Sequence, residues 1–210
     1  MVRDALTRRG LESAVPATAA FASFLELLLR VNAGVNLVSR KEASPEALVE
    51  RHLLDALEAL PLLPGPGKDM RVLLDIGSGG GFPAIPLLLA RRDLEGVLVE
   101  SVGKKVRFLE EAVGALGLTA RVVNARFPGP ALALMRNAPP CHLLTSRAVA
   151  SAGEIVRAAR PVLARGAFAL LWTSEPLLEE IRRALPGSIV GFRKSPGADR
   201  RGIAQVECFT

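Results

Sequence analysis

The stretch Asp75-Ile76-Gly77-Ser78-Gly79-Gly80-Gly81-Phe82-Pro83 decides the fold. The apolar run before it, Arg71–Ile76, has the length and composition of a buried strand. Glycines after a strand permit positive φ and let a ligand approach the backbone closely. Pro83 and Pro86 have no amide hydrogen to donate, so both belong in or beside the first turn of a helix. A helix is therefore predicted to begin at Pro83 or Ala84, directly after the loop, where its free amides face any bound group. The glycine spacing narrows the ligand. A dinucleotide fingerprint, G-x-G-x-x-G, would place its third glycine where Phe82 stands. The register is G-x-G-x-G instead, at Gly77, Gly79 and Gly81, with Asp75 two positions ahead of the first. The competing reading is a strand–turn–helix corner that binds nothing.

Downstream, short apolar runs alternate with helical stretches. Val97–Glu100, Ala120–Val123, His142–Thr145 and Gly166–Trp172 read as further strands. Helices are predicted over Ala84–Arg91, Lys104–Leu116, Ser151–Ala164 and Pro176–Leu185, and Ser151-Ala152-Gly153-Glu154 has the form of a capping box. Such alternation implies βαβ units and a parallel sheet with helices on both faces. Ser188–Phe192 and Ile203–Phe209 also read as strands, but Arg193–Gly202 between them is too short for a crossover helix, so this pair is expected to be antiparallel. Upstream, Phe21, Phe24, Leu25, Leu28 and Leu29 recur at helical spacing, as do Leu48, Val49, His52, Leu53, Ala56, Leu57 and Leu60. Pro61–Asp69 reads as a linker. The expected organisation is a helical extension over 1–65 and a ligand-binding α/β domain over 70–210, packed as one unit.

Composition bounds the function. The chain has 210 residues, of which 50% are apolar, enough for a sizeable core. No apolar run is expected to reach bilayer length. Met1–Gly10 carries Arg3, Arg8 and Arg9 without the apolar core of a signal peptide, and these arginines are expected on a solvated helix face. Cys141 and Cys208 make neither a disulfide framework nor a zinc cluster, and no metal site is expected. A cytoplasmic protein with no membrane partner follows. The net charge of +6 suits a polyanion such as nucleic acid, although the excess of arginine over lysine also suits a GC-rich coding sequence. No heptad or large apolar patch argues for a dimer, so a monomer is expected.

The loop with its leading acid resembles motif I of S-adenosylmethionine enzymes. Glu100, ending the second strand at the carboxyl edge of the sheet, is placed to accept both hydroxyls of an adenosine ribose. Five parallel strands closed by an antiparallel pair resemble the Rossmann-like class I methyltransferases, whose sheet is seven-stranded and mostly parallel. A narrower resemblance rests on Asn36-Leu37-Val38-Ser39, Glu50-Arg51-His52-Leu53-Leu54-Asp55, Asp75–Pro86, Glu100–Leu109 and Ser146-Arg147-Ala148-Val149-Ala150. In order and spacing these are similar to the small-subunit rRNA methyltransferase G family, also called glucose-inhibited division protein B. The resemblance implies methylation of N7 of a guanine in the helix 18 loop of 16S rRNA, guanine 527 in the standard numbering. It implies S-adenosylmethionine as cofactor, with Gly77 and Phe82 lining the pocket, Glu100, Ser101 and Val102 at the ribose, and Arg147 closing the pocket from the end of the fourth strand. After the third strand the family has Arg, a small residue and Glu near the adenine. Here the run is Arg126-Phe127-Pro128, without the glutamate, which weakens the assignment of Phe127 and Pro128 as cofactor contacts.

Guanine N7 carries a lone pair and no proton, so its attack on a methyl group needs no general base, and no catalytic residue is assigned. The substrate would be 16S rRNA or the small ribosomal subunit. Lys104, Lys105, Arg126 and Arg51 are the candidate phosphate contacts. Two lysines opening a helix oppose its dipole, and phosphate binding would explain them. His52, on an apolar helix face, reads as a hydrogen-bonded core histidine before an RNA contact. A small-molecule methyltransferase and a non-enzymatic RNA- or nucleotide-binding module are the alternatives. Pro139-Pro140-Cys141 has the form of a nucleophilic cytosine-methylating motif but precedes its strand, away from the loop. Cys141→Ala is therefore expected to retain full methyl transfer in a labelled-cofactor assay, and complete loss would favour covalent chemistry.

Overall fold

The computed structural model describes residues 1–66, 72–147, 151–188, 190–196 and 200–208. Parts of the linker and of the first strand's start, Ala148–Ala150, and the end of the last predicted strand at Phe209 lie outside the described residues. The N-terminal part is helical: α1 (Val2–Arg8), a 3₁₀ segment Glu12–Ala17, α2 (Thr18–Val35), α3 (Pro45–Leu48), a π turn Val49–Leu53 and α4 (Leu54–Leu57). Then follow β1 (Val72–Ile76), α5 (Ala84–Ala90), β2 (Glu95–Glu100), α6 (Gly103–Ala115), β3 (Ala120–Asn124), α7 (Gly129–Met135) and β4 (Cys141–Arg147). The chain continues with α8 (Ala152–Ala159), β5 (Leu163–Ser174), α9 (Leu178–Ala184), β6 (Val190–Lys194) and β7 (Arg201–Glu207).

The strand order is β3-β2-β1-β4-β5-β7-β6. β1 to β5 are parallel, and β7 runs antiparallel to both β5 and β6. The order reverses direction between β1 and β4, which opens a crevice at the carboxyl ends of the strands. The α/β class, the seven strands and the antiparallel closure match the sequence-based expectation.

Strand alternation divides the core in two. Leu73, Leu98, Leu143, Leu170 and Ile203 face one cluster, which contains the N-terminal helices, α5 and α6. Val72, Leu74, Ile76, Val97, Val99, Leu144 and Leu171 face the other, beneath α7, α8 and α9. The period of two continues to the strand ends. It puts Asp75, Glu100, Thr145, Arg147, Trp172, Ser174 and Arg201 on the N-terminal side, all at the carboxyl edge.

Several local expectations are corrected. The helix expected over Ser151–Ala164 stops at Ala159, because Pro161 cannot continue it, and Leu163 and Ala164 enter β5. Ser151 takes a left-handed backbone (φ 60°) and makes no side-chain cap, so the capping box does not form. α7 has no counterpart among the helices expected from sequence, since Gly129 and Pro130 mask a helix of about two turns whose buried residues are only Ala131 and Met135. Arg3 and Arg8 are exposed as expected, Arg8 pairing with Glu50 at 3.1 Å, but Arg9 is half-buried and pairs with the buried Glu58 at 2.5 Å, fastening the end of α1 to the α4 region. Finally, Glu12–Val35 is long and apolar enough, with mean hydropathy 1.5, to meet the length and composition of a membrane span. Here its apolar stripe Phe21, Phe24, Leu25, Leu27 and Leu28 is buried in the protein core.

Phe24 links the two parts of the chain. It is fully buried, and its ring lies edge-on to Phe82 of the glycine loop at 5.2 Å. Phe24→Ala is expected to cost about 3–5 kcal/mol in urea unfolding.

Candidate functional site

β1 delivers the loop. The amides of Gly77 and Ser78 donate to the Val99 carbonyl at 2.9 and 3.1 Å, so the chain leaves β1 still paired with β2. Gly77, Gly79 and Gly81 all take positive φ (78°, 52° and 85°), which the G-x-G-x-G register requires. A Cβ on Gly81 would also meet Ile85 Cδ1 at 2.5 Å. Pro83 caps α5, as its missing amide hydrogen demands. Glu100 then fixes the loop from the end of β2. Its Oε2 accepts from the Gly79 amide at 2.9 Å, and its Oε1 accepts from Ser101 and Val102 at 2.7 and 2.9 Å. A carboxylate has about four acceptor sites, so most of this one is engaged by the backbone.

Beneath the loop lies Asp75, wholly buried. Thr145 donates its hydroxyl to Asp75 Oδ1 at 2.7 Å, while the buried Oδ2 has no hydrogen-bond partner. Burial pushes its carboxyl up to about 6, against the Thr145 hydrogen bond.

Facing the loop is a cleft of about 500 Å³, lined by Leu37, Val38, Ser39, Glu42, His52, Asp55, Gly77–Gly80, Phe82, Arg147, Trp172–Ser174, Arg201 and Gly202. The N-terminal part supplies one wall. Leu37 lies over Gly80, where a Cβ would meet the Leu37 carbonyl at 3.2 Å. The Asn32 side chain accepts from the Val38 amide at 2.9 Å and holds that turn, with Asn36 left-handed at φ 57°. The π turn brings His52 against Phe82, ring to ring at 5.1 Å, and presents the Arg51 carbonyl to Arg147 Nη2 at 3.1 Å. Arg147 Nη1 lies 3.5 Å from Asp55 Oδ2, and the Trp172 indole donates to the Asp55 carbonyl at 2.9 Å.

Burial governs the charges here. His52 is buried, and that together with the nearby Arg147 charge holds its imidazole down at about 4, with Glu42 3.7 Å away as the opposing influence. Its Nε2 has no hydrogen-bond partner, which corrects the expectation of a hydrogen-bonded core histidine. Burial raises the Asp55 carboxyl, opposed by Arg147 and Arg201. Glu42 is lowered, chiefly by the Ser39 hydroxyl.

A profile of the rRNA small subunit methyltransferase G family, GidB, matches residues 17–186. The chain belongs to this family. A relative of that name from Acidiphilium cryptum is 35% identical over 87% of this chain and 80% of its own length. One from Alkalilimnicola ehrlichii is 38% identical over 88% and 78% respectively. Among solved structures, a precorrin-6Y C5,15-methyltransferase from Geobacter metallireducens is similar with a TM-score of 0.56 at 16% identity, covering 74% of this chain and 86% of that one. A predicted O-methyltransferase from Agrobacterium tumefaciens is similar at 0.57 and 19%, covering 73% and 80%. These two share the fold. As a member of the methyltransferase G family, the chain is a methyl-transferring enzyme, and family and fold together imply S-adenosylmethionine.

The residues singled out in the sequence fall into three places. Gly77, Gly79, Phe82, His52 and Arg147 line the cleft, with Asp75, Gly81 and Glu100 packed around its loop. Ser101 and Arg126 line a separate shallow hollow with Asn124, Ala125, Pro130, Ala133 and Leu134. Phe127 packs against the second core cluster and Pro128 caps α7, neither in the cleft. Val102, Lys104 and Arg51 are exposed, and Lys105 is half-buried. Trp172, Ser174 and Arg201 were not singled out, although an antiparallel β7 must start where β5 ends: Arg201 pairs with Ser174. Cys141 is buried at the amino end of β4, and burial pushes its thiol up to about 11, which suits a structural role.

The depressed His52 value gives a pH signature. An ordinary histidine titrates near 6.5, so folding favours the neutral ring. The resulting stability is present above 6.5 and is lost as pH falls through about 4. Proton NMR is expected to show one of the two imidazoles titrating near 4, and His52→Asn should remove that resonance.

Proposed function

We propose that this chain transfers a methyl group from S-adenosylmethionine to N7 of a guanine in the helix 18 loop of 16S rRNA, acting as a cytoplasmic monomer. The observation that carries the reading is a loop of three positive-φ glycines facing a cleft whose imidazole is held neutral. His52 is the imidazole of that cleft, and a value near 4 makes it a poor base at neutral pH. Guanine N7 needs none, because it has no proton to lose.

The residues fit the cofactor. Three positive-φ glycines open the backbone, and Asp75 Oδ2 is an acceptor without a partner beneath them. Gly77, Gly79, Gly81 and Phe82 would hold the cofactor with Asp75 and Glu100, and Ser101 and Val102 would lie at its ribose. When bound, it supplies an electrophilic methyl on a sulfonium. The chain's own work is to position the base and exclude water. Phe82, Phe24 and His52 form an apolar backing on one side of the cleft. Arg147, held by the Arg51 carbonyl and near Asp55, places a positive charge in the cleft beside His52.

RNA as the acceptor is supported by the sheet registers. Lys104 and Lys105 follow β2, Arg126 follows β3, Lys194 ends β6 and Arg201 begins β7. All therefore stand at the carboxyl edge. From β3 to β6 that edge spans roughly 29 Å at ~4.8 Å per strand. Basic side chains thus flank the cleft on both sides, where backbone phosphates would be held. N7 is inaccessible to side chains in the deep A-form groove, so the target must be unpaired or splayed out.

The test is incubation with methyl-labelled cofactor and small subunits, or their rRNA, lacking the modification. Label in 16S rRNA at a guanine that borohydride and aniline then cleave is the expected result. Label confined to small molecules, or cofactor bound and never consumed, would sink the reading.

A further inference from the structure

The cleft wall opposite the glycine loop holds two carboxylates, Glu42 and Asp55, among the described residues. Glu42 is already engaged within its own turn, where the Ser39 hydroxyl donates to Oε2 at 2.8 Å. Asp55 is held differently. Its backbone is fixed by the Trp172 indole, but among the described residues its carboxylate has only long contacts, to the Ser195 hydroxyl at 3.4 Å and to Arg147 Nη1 at 3.5 Å. Arg147 is anchored in the same one-sided way. Nη2 donates to the Arg51 carbonyl, while the buried Nη1 has no hydrogen-bond partner. The two charges balance, yet an acceptor and a donor stand side by side with hydrogen-bonding capacity unused. A buried donor such as Arg147 Nη1 is ordinarily completed by water, an ion or a ligand, and the partly exposed Asp55 carboxylate beside it is open to the same occupant.

A ligand that completes both must present adjacent donors and an acceptor along one edge. Guanine does: its N1–H and 2-amino group donate beside the O6 acceptor. Adenine offers the opposite order, an N1 acceptor beside a 6-amino donor, and would set a lone pair against the carboxylate. We propose that Asp55 and Arg147 form the base-recognition subsite, the Asp55 carboxylate accepting from N1–H and the 2-amino group of the target guanine while Arg147 Nη1 donates to O6. The inference rests on reading the cleft as a guanine-methylating site. Held by this edge, the base keeps N7 uncovered on the neighbouring edge. The subsite also accounts for the segment Arg51–Asp55, which contributes a backbone acceptor to Arg147 at one end and the recognising carboxylate at the other.

The test compares rRNA substrates carrying guanine or hypoxanthine at the target position, the latter lacking only the 2-amino group. Wild-type kcat/KM is expected to fall on the order of tenfold or more with hypoxanthine. Asp55→Ala is expected to lose a similar factor on guanine and to bring the ratio of the two substrates near one, with cofactor affinity unchanged by calorimetry. Where a variant turns over too slowly, the ratio is read from binding of fragments whose target base has carbon at position 7, with and without the 2-amino group. Asp55→Asn, close in volume, replaces the alanine variant if that one does not fold. Wild-type enzyme that treats both bases alike, or a variant that keeps the wild-type ratio, overturns the proposal. Wild-type enzyme that methylates no guanine in 16S rRNA overturns instead the functional reading beneath it.

Discussion

A single carboxylate joins the two strands on which the site is built. Glu100 takes the amides of Gly79, Ser101 and Val102, groups that belong to no helix or strand ladder and would otherwise be unsatisfied in a partly buried place. That arrangement ties the end of β1 to the end of β2. It also fixes the loop that carries Phe82, and Phe82 touches both Phe24 and His52. The position of the N-terminal helices over the sheet is thereby coupled to the geometry of the glycine loop. Neither the loop nor the helical layer makes a cleft by itself.

The same face of the sheet explains the electrostatics. Strand alternation directs Asp75, Thr145, Arg147 and Arg201 toward the N-terminal helices, which cover and desolvate the first three. Desolvation favours neutral forms, and it raises Asp75 and Asp55 and lowers His52. The outcome is a cleft of part-compensated charge in which the His52 imidazole is weakened as a proton acceptor while the buried carboxylates hold protons more tightly. Recognition by hydrogen bonds suits such a place. Among the described residues the cysteines stand apart, buried in the second core cluster on the sheet's other face.

Much of this was legible in the residues alone, for identifiable reasons. Glycine and proline carry backbone constraints wherever they stand, so the loop register and the start of α5 could be read directly. The short link between the last two strands excluded a crossover, and their antiparallel pairing followed. Errors fell where a weak local signal met a stronger competitor. Pro161 cut α8 short, and the left-handed Ser151 left its capping box unformed. α7 buries too little to show a periodic pattern. His52 reads from the sequence as lying on an apolar helix face, and it is buried there, but its neighbour Phe82 lies thirty residues away in the chain.

By itself the sequence determined the strand–loop–helix corner, the alternation that sorts side chains between two cores, and the family resemblance on five separated segments. These depend on local backbone rules and on periodicity, which are properties of neighbouring residues. The tertiary structure alone decided that Asp55 and Arg147 stand 3.5 Å apart, that Arg201 reaches the same cleft, and that His52 Nε2 is buried without a hydrogen-bond partner. Arg147 meets Asp55 across a separation of nearly half the chain, because sheet order and helix packing bring β4 and α4 together. No spacing in the sequence encodes that meeting, and the inferred specificity for guanine depends on it.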